Sequence, residues 1–147
     1  MNAHPGADPH ADAIAAILRE AKTIAVVGLS SRPHRDSFQV AQYVQRHGYR
    51  IIPVNPRERG PILGEPVYPS LADLPVPVDI VNIFRRSALT DAPIDQAIAI
   101  GAKVVWLQLG ITNASGLERA RRAGLRTVQD RCIAIEHQRW TAADARG

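Results

Sequence analysis

Short, continuous apolar runs recur along this chain, at residues 23–28, 49–54, 79–84, 103–109 and 125–128. They constrain the fold more than any other feature. None is long enough for a full helix, and none alternates apolar with polar residues as a half-exposed strand would. Runs of this kind are strands buried on both faces, the pattern of a parallel sheet covered by helices.

The segments between the runs carry a helical period. From Asp8, Ile14, Ile17, Leu18 and Ala21 fall on one stripe. Residues 37–47 place Phe38, Ala41 and Val44 at helical spacing and stop at Gly48. Asp91 is positioned to cap a helix through Ile94, Ala97 and Ile98 that ends at Gly101, and Asn113 to cap one over 114–123 that ends at Gly124. A helix that stops at glycine and passes at once into a strand follows the usual left-handed C-terminal cap. A last helix is expected over about 133–140, with a small, polar tail beyond it. Residues 55–77 break the rhythm: Pro56, Gly60, Pro61, Gly64, Pro66, Pro69, Pro75 and Pro77 forbid a long helix there. Only 70–74 leaves room for a turn or two.

Strands alternating with helices predict an open parallel α/β sheet of five strands, order 3-2-1-4-5, with helices on both faces. In such sheets ligands bind beyond the carboxyl ends of the strands, where the strand order reverses. For this order that point lies between strands one and four.

The 147 residues suit one domain, 1–147, with a core over about 14–140 and a loose tail at 1–7. Hydrophobic content of 46% and charged content of 22% are ordinary for a globular chain. Aromatics at 5% poorly supply a stacking surface for single strands, and no recognition helix is evident, so nucleic acid is not an expected partner. One cysteine excludes an internal disulfide and a cysteine-rich metal site, and no metal ligands are assigned. No apolar run approaches the ~20 residues that span a bilayer, and the first residues lack the pattern of a signal peptide. A cytoplasmic protein without membrane association is the expectation.

The net charge is +4, and the basic residues are arginines apart from Lys22 and Lys103. A uniform preference for arginine over lysine accounts for the total. It does not account for position. Arg32 and Arg35 follow strand one, Arg57 and Arg59 strand two, Arg85 and Arg86 strand three, and Arg131 strand five. All would share one edge of the sheet. Arg46, Arg121 and Arg122 would lie at the opposite edge, near helix ends where the dipole favours them. A guanidinium offers a planar fork that matches phosphate, so arginines after successive strands point to a polyanionic ligand.

The loop after strand one reads Gly28-Leu29-Ser30-Ser31-Arg32-Pro33-His34-Arg35-Asp36-Ser37. Gly28 permits a sharp turn, Ser30, Ser31 and Ser37 bring hydroxyls, and the helix that follows offers free N–H groups. This makes an anion site, although Ser37 or Asp36 could equally be a plain helix cap. It is not a P-loop, since no Gly-Lys-Ser/Thr is present. An NAD site calls for an acid about 20 residues on, to hold the ribose hydroxyls. Here Asn55-Pro56-Arg57 stands in its place, with Glu58 a little beyond. An arginine suits an extra ribose phosphate, as in NADP or coenzyme A.

Taken in order, Gly28-x-Ser30-x-x-Pro33, Val54-Asn55-Pro56, Phe84-Arg85, Trp106-Leu107-Gln108-Leu109-Gly110 and Asp130-Arg131-Cys132 resemble the small stand-alone CoA-binding proteins. These are similar in turn to the CoA-binding domain of the succinyl-CoA synthetase alpha subunit. The resemblance covers roughly residues 14–140. It implies a Rossmann-like domain that binds coenzyme A or an acyl-CoA. By position, Gly28, Ser30, Ser31 and Ser37 would hold the pyrophosphate, with Arg32 beside them. Asn55, Pro56 and Arg57 would flank the adenosine and its 3′-phosphate. Phe84, Arg85, Gln108 and Gly110 would line the pantetheine path. The synthetase's phosphorylated histidine and second domain have no counterpart, so ligase activity is not implied.

No carboxylate pair or Ser-His-Asp set can be assigned, and the expected role is binding without catalysis. His34, in the phosphate loop, reads as a donor or a solvated residue, and Trp106 as core. Cys132 reads first as a small packing residue, although its place after strand five also allows a thiol near the pantetheine path. The competing reading is an NADP-binding Rossmann-type enzyme or redox sensor, which the single-glycine loop fits less well.

Overall fold

The computed structural model describes residues 8–146; the tail expected at 1–7 lies outside the described residues. In chain order the elements are α1 (Ala11–Glu20), β1 (Thr23–Val27), α2 (Asp36–Arg46), β2 (Arg50–Val54), β3 (Ile80–Ile83), α3 (Asp91–Ala99), β4 (Val104–Leu107), α4 (Ala114–Arg122), β5 (Arg126–Val128) and α5 (Ile133–Arg146). Short 3-10 turns occupy Leu71–Asp73 and Ser87–Leu89. All pairings in the five-stranded sheet are parallel.

Successive strand residues point to opposite faces, and the sheet sorts its apolar side chains accordingly. Ile24 and Val26 of β1 join Ile80, Val104 and Trp106 under α1, α2 and α5. Ala25 and Val27 join Val81, Ile83, Val105 and Leu107 under α3 and α4. Trp106 is fully buried, as expected of a core residue, and its indole N–H donates to the Arg131 carbonyl at 2.8 Å.

The strand order is β2-β1-β3-β4-β5, which corrects the expected 3-2-1-4-5. β3 pairs with β1, with Ile24 opposite Ile80 and Val27 opposite Ile83. β2 is left at the edge, and Pro53 explains why. Its carbonyl faces outward and accepts from the Tyr68 N–H at 3.0 Å. The ring nitrogen faces the same way and has no hydrogen to give, so a strand docked on that side would lose a ladder bond. Residues 55–79 instead return the chain past β1. The reversal point therefore lies between β1 and β3.

Both ends of the β1–β3 contact are locked. At the amino end the Asp79 carboxylate accepts from the N–H groups of Lys22 (2.7 Å) and Thr23 (3.1 Å), while the Asp79 N–H donates to Thr23 Oγ1 at 2.9 Å. Lys103 adds an ion pair at 3.4 Å. At the carboxyl end, Phe84 N–H donates to the Val27 carbonyl at 2.9 Å and Gly28 lies directly against Phe84.

Helix ends follow the expected punctuation at Gly48, Gly101 and Gly124, all with positive φ. Asn113 caps α4 by accepting from the Gly116 N–H at 2.9 Å. Asp91 is not a cap: Thr90 holds that position and Asp91 begins α3. Likewise Arg35 precedes α2, so neither Asp36 nor Ser37 caps it. α5 runs on to Arg146, well past the expected end near residue 140.

Burial alone would raise the Asp79 pKa, but the two backbone N–H groups and Lys103 outweigh it and hold the carboxyl below its usual range. This stabilisation is complete above the ordinary carboxylate pKa and is lost as pH falls through the lower folded value. Asp79→Ala should therefore cost about 2 kcal/mol at neutral pH. Urea titrations of both proteins should converge as the pH is lowered towards 2, and a gap that stays constant with pH would refute the assignment.

Candidate functional site

At the reversal point β1 ends in Gly28, whose φ of +87° suits no L side chain. A Cβ here would stand 2.7 Å from the Phe84 carbonyl oxygen. The turn and the close approach both require glycine. The chain then doubles into a loop held from within. Ser37, buried in the first turn of α2, accepts the Ser30 N–H on its Oγ at 3.0 Å, and Ser30 Oγ accepts the Arg32 N–H at 3.1 Å. The loop after β2 is stitched to this one. Asn55 Nδ2 donates to the Leu29 carbonyl at 3.0 Å, and its Oδ1 accepts from the Arg57 N–H at 2.9 Å. The Glu58 carboxylate reaches across to the Ser31 N–H at 3.0 Å.

A cleft of about 630 Å³ opens beside this arrangement, past the ends of β3 and β4. Phe84, Arg85, Gln108 and Gly110, expected on one ligand path, line it together. So do Arg86, Ser87, Leu109, Ile111 and Cys132, along with Asp36 and Val40 from α2 and Ile135 from α5. Gln108 is 6% exposed, and its Oε1 accepts from Asn82 Nδ2 (3.2 Å) and from the Ile133 N–H that opens α5 (3.3 Å). Its amide NH2 has no partner among the described residues. Gly110 donates its N–H to Asp130 Oδ1 at 2.7 Å, which ties the ends of β4 and β5. Two smaller depressions, of about 340 and 440 Å³, lie between α1, α4 and β5 and at the amino edge of the sheet.

Arg119, Arg121, Arg122, Arg126 and Arg139 are all in ion pairs, away from the cleft. Ten arginines lack an acidic partner among the described residues. Arg19, Arg46, Arg50 and Arg146 are scattered over α1, the end of α2, the start of β2 and the end of α5, and the other six, Arg32, Arg35, Arg57, Arg59, Arg85 and Arg86, follow strands. Arg131 departs from the expected set. Its guanidinium is bound by Asp8 and lies 3.6 Å from Glu136 Oε1, so it faces the α1 side rather than the cleft. The hydrogen bond to Arg131 holds the Asp8 carboxyl below its ordinary range. Ser31, Arg32, His34, Pro56 and Arg57 are exposed around the loops, and none lines the cleft.

The cleft walls α2 and α5 are joined at their far side. Tyr43 Oη and His137 Nδ1 are hydrogen-bonded at 2.8 Å, and His137 also packs on Tyr49 and Trp140. Burial, and then the neighbouring His47, push the His137 pKa down, so neutral imidazole is the form held in this joint.

Sequence reasoning did not include Asp36, Val40, Ser87, Leu109, Ile111 and Ile135 in the site. Their apolar members carry no chemical signature, and only the spatial meeting of α2, β4 and α5 brings them together. Arg86 was visible as a neighbour of Arg85.

The family described as CoA binding domain matches residues 22–138. The chain belongs to that family. Over 130 residues it is 38% identical to the uncharacterized protein YneT of Bacillus subtilis (strain 168), a match spanning 88% of this chain and 96% of the relative. A hypothetical protein from Pyrococcus horikoshii OT3 superimposes with a TM-score of 0.86 at 38% identity, covering 96% of this chain and 99% of that one. The apo form of a dinucleotide forming acetyl-coenzyme A synthetase 1 from Ca. Korarchaeum cryptofilum shares the fold, with a TM-score of 0.65 at 24% identity. That match covers 74% of this chain and 26% of the synthetase.

Gly28→Ala should place a methyl group against the Phe84 carbonyl and force the loop out of its turn. The expected cost is about 2 kcal/mol or more in a urea melt. A variant as stable as the parent would mean that β1 and the Phe84 turn are not held in this approach.

Proposed function

We propose that this domain binds coenzyme A or an acyl-CoA in the cytoplasm, along the carboxyl edge of its sheet, as a binder rather than a catalyst. One observation carries the reading: six of the ten arginines without an acidic partner among the described residues stand together on the neighbouring loops of that edge. Unneutralised guanidiniums on neighbouring loops repel one another, and a polyanion relieves that repulsion. The ligand's phosphates would lie across the β1 and β2 loops, where Ser30, Ser31, Arg32 and Ser37 meet Asn55, Pro56 and Arg57. Its pantetheine arm would run into the cleft past Phe84 and Arg85 to Gln108 and Gly110. The free NH2 of Gln108 suits an amide carbonyl on that arm. The polar groups lining the cleft are guanidinium, amide, hydroxyl, carboxylate and thiol, set among apolar side chains, a combination suited to holding a ligand.

Calorimetry with CoA, dephospho-CoA, NAD and NADP tests this directly. CoA should bind most tightly. Tighter binding of NAD would overturn the reading, and tighter binding of NADP would favour an NADP-dependent enzyme or redox sensor instead. Arg57→Ala should weaken CoA about tenfold while leaving dephospho-CoA much less affected, because only CoA carries the 3′-phosphate. Equal losses for both ligands would remove Arg57 from that role.

Cys132 provides a separate probe of the pantetheine path, since it is partly exposed and lines the cleft. Alkylation of Cys132 by iodoacetamide should slow several-fold in saturating CoA, read by intact mass. An unchanged rate in the presence of bound CoA would place the arm elsewhere.

A further inference from the structure

Three large hydrophobic side chains are left exposed among the described residues, and two of them meet at the cleft. The three are Leu89 (44% exposed), Leu109 (61%) and Ile135 (41%). Leu109 and Ile135 line the cleft, and Leu89 ends the 3-10 turn whose Ser87 lines it too. Inward of this rim the apolar wall continues through Val40, Phe84 and Ile111. Single exposed apolar residues are ordinary on a protein surface. A cluster that edges a concavity marks a place where something apolar is received.

We propose that this rim of the cleft receives the aliphatic acyl chain of a CoA thioester, so that the preferred ligand is an acyl-CoA rather than free CoA. The inference rests on the CoA reading above and extends it to the class of acyl group. A pantetheine arm carries amides and ends in a sulfur. Its amides suit Gln108 and Arg85, and its gem-dimethyl and methylene groups lie between those amides and the phosphates or sulfur. Beyond the sulfur, therefore, free CoA has no apolar surface to lay on Leu109 and Ile135. An alkyl chain attached to that sulfur continues in the same direction and supplies it.

Charge separates this occupant from a second copy of the chain. Arg85 and Arg86 line the same cleft and outnumber its one acid, Asp36, so an interface built here about a twofold axis would gather four guanidiniums against two carboxylates. An acyl-CoA sets its anionic end towards the arginine-bearing loops and its neutral, apolar end towards the rim.

The test is a calorimetric series with CoA and its acetyl, butanoyl, hexanoyl and octanoyl thioesters. Burial of a methylene on a half-open wall should tighten binding about two- to fourfold per carbon until the cleft is filled. Leu109→Ser and Ile135→Ser remove apolar surface from exposed positions, where folding is little affected. They should bring the ratio between octanoyl-CoA and CoA affinities down towards unity. Parent affinities independent of chain length, with CoA still bound, would overturn the acyl-chain inference alone. No binding of CoA would overturn the reading beneath it. A flat series combined with a dimer that Leu109→Ser dissociates would assign the rim to contact between copies, and the inference would fail.

Discussion

The approach of β1 to β3 governs the rest of the molecule. One end is held by Asp79 reaching back to Lys22 and Thr23, the other by Gly28 lying under the Phe84 carbonyl. With these strands side by side, the connection after β1 runs out towards the β2 edge and the one after β3 runs towards β4. The loops part at that line, and the parting exposes the floor on which a ligand can lie. Had β3 docked outside β2, Phe84 and Arg85 would stand two strands from Gly28, and the loops bearing Ser30 and Arg85 could not share one ligand.

Hydrogen bonds then fix the loops to one another before any ligand arrives. Asn55 and Glu58 tie the β2 loop to the β1 loop, Asp130 ties the β5 end to Gly110, and Gln108 joins β4 to the start of α5. Each tie uses a side chain to satisfy a backbone group at a strand or helix end, where the regular ladder has run out. The ordering is completed on folding, so a bound ligand need not supply it. The same ties show why some polar residues of the site are not free to act. Both ends of the Asn55 amide are engaged, and its part in any ligand contact is to hold Arg57 and the Leu29 carbonyl in position.

Much of the fold was legible in the sequence because its signals are local. Continuous apolar runs mark the strands, and Gly48, Gly101 and Gly124 mark the helix ends wherever the rest of the chain goes. Strand order is a long-range property, and length and period do not reveal it. One residue did encode it: Pro53, inside an otherwise buried run, belongs on an edge strand. The site was legible for a similar reason in part. Phe84, Arg85, Gln108 and Gly110 follow strands directly, so any parallel sheet brings them to one edge. Arg131 follows a strand as well, yet Asp8, more than a hundred positions away, draws it off. No spacing rule anticipates that capture. The apolar lining from α2 and α5 escaped for the opposite reason, since Val40 and Ile135 look like ordinary helix residues until the helices are packed.

Glu58 bears on the choice between dinucleotide and CoA. It is the acid nearest to the position where a dinucleotide site keeps a carboxylate for ribose hydroxyls. In this fold its carboxylate points back to the β1 loop and accepts the Ser31 N–H. Exposed guanidiniums flank it at Arg57 and Arg59, and it bonds to neither. A carboxylate settled on a backbone N–H amid unpaired arginines marks the N–H as a favourable place for negative charge. A phosphate arriving at that N–H would bring more charge and more acceptor oxygens, and would displace the carboxylate rather than join it. A ribose hydroxyl could donate to the second carboxylate oxygen, which has no partner among the described residues, without breaking the bond to Ser31. Glu58 thus leaves room for either ligand, and it is the unpaired arginines of the neighbouring loops that favour an anion over a diol.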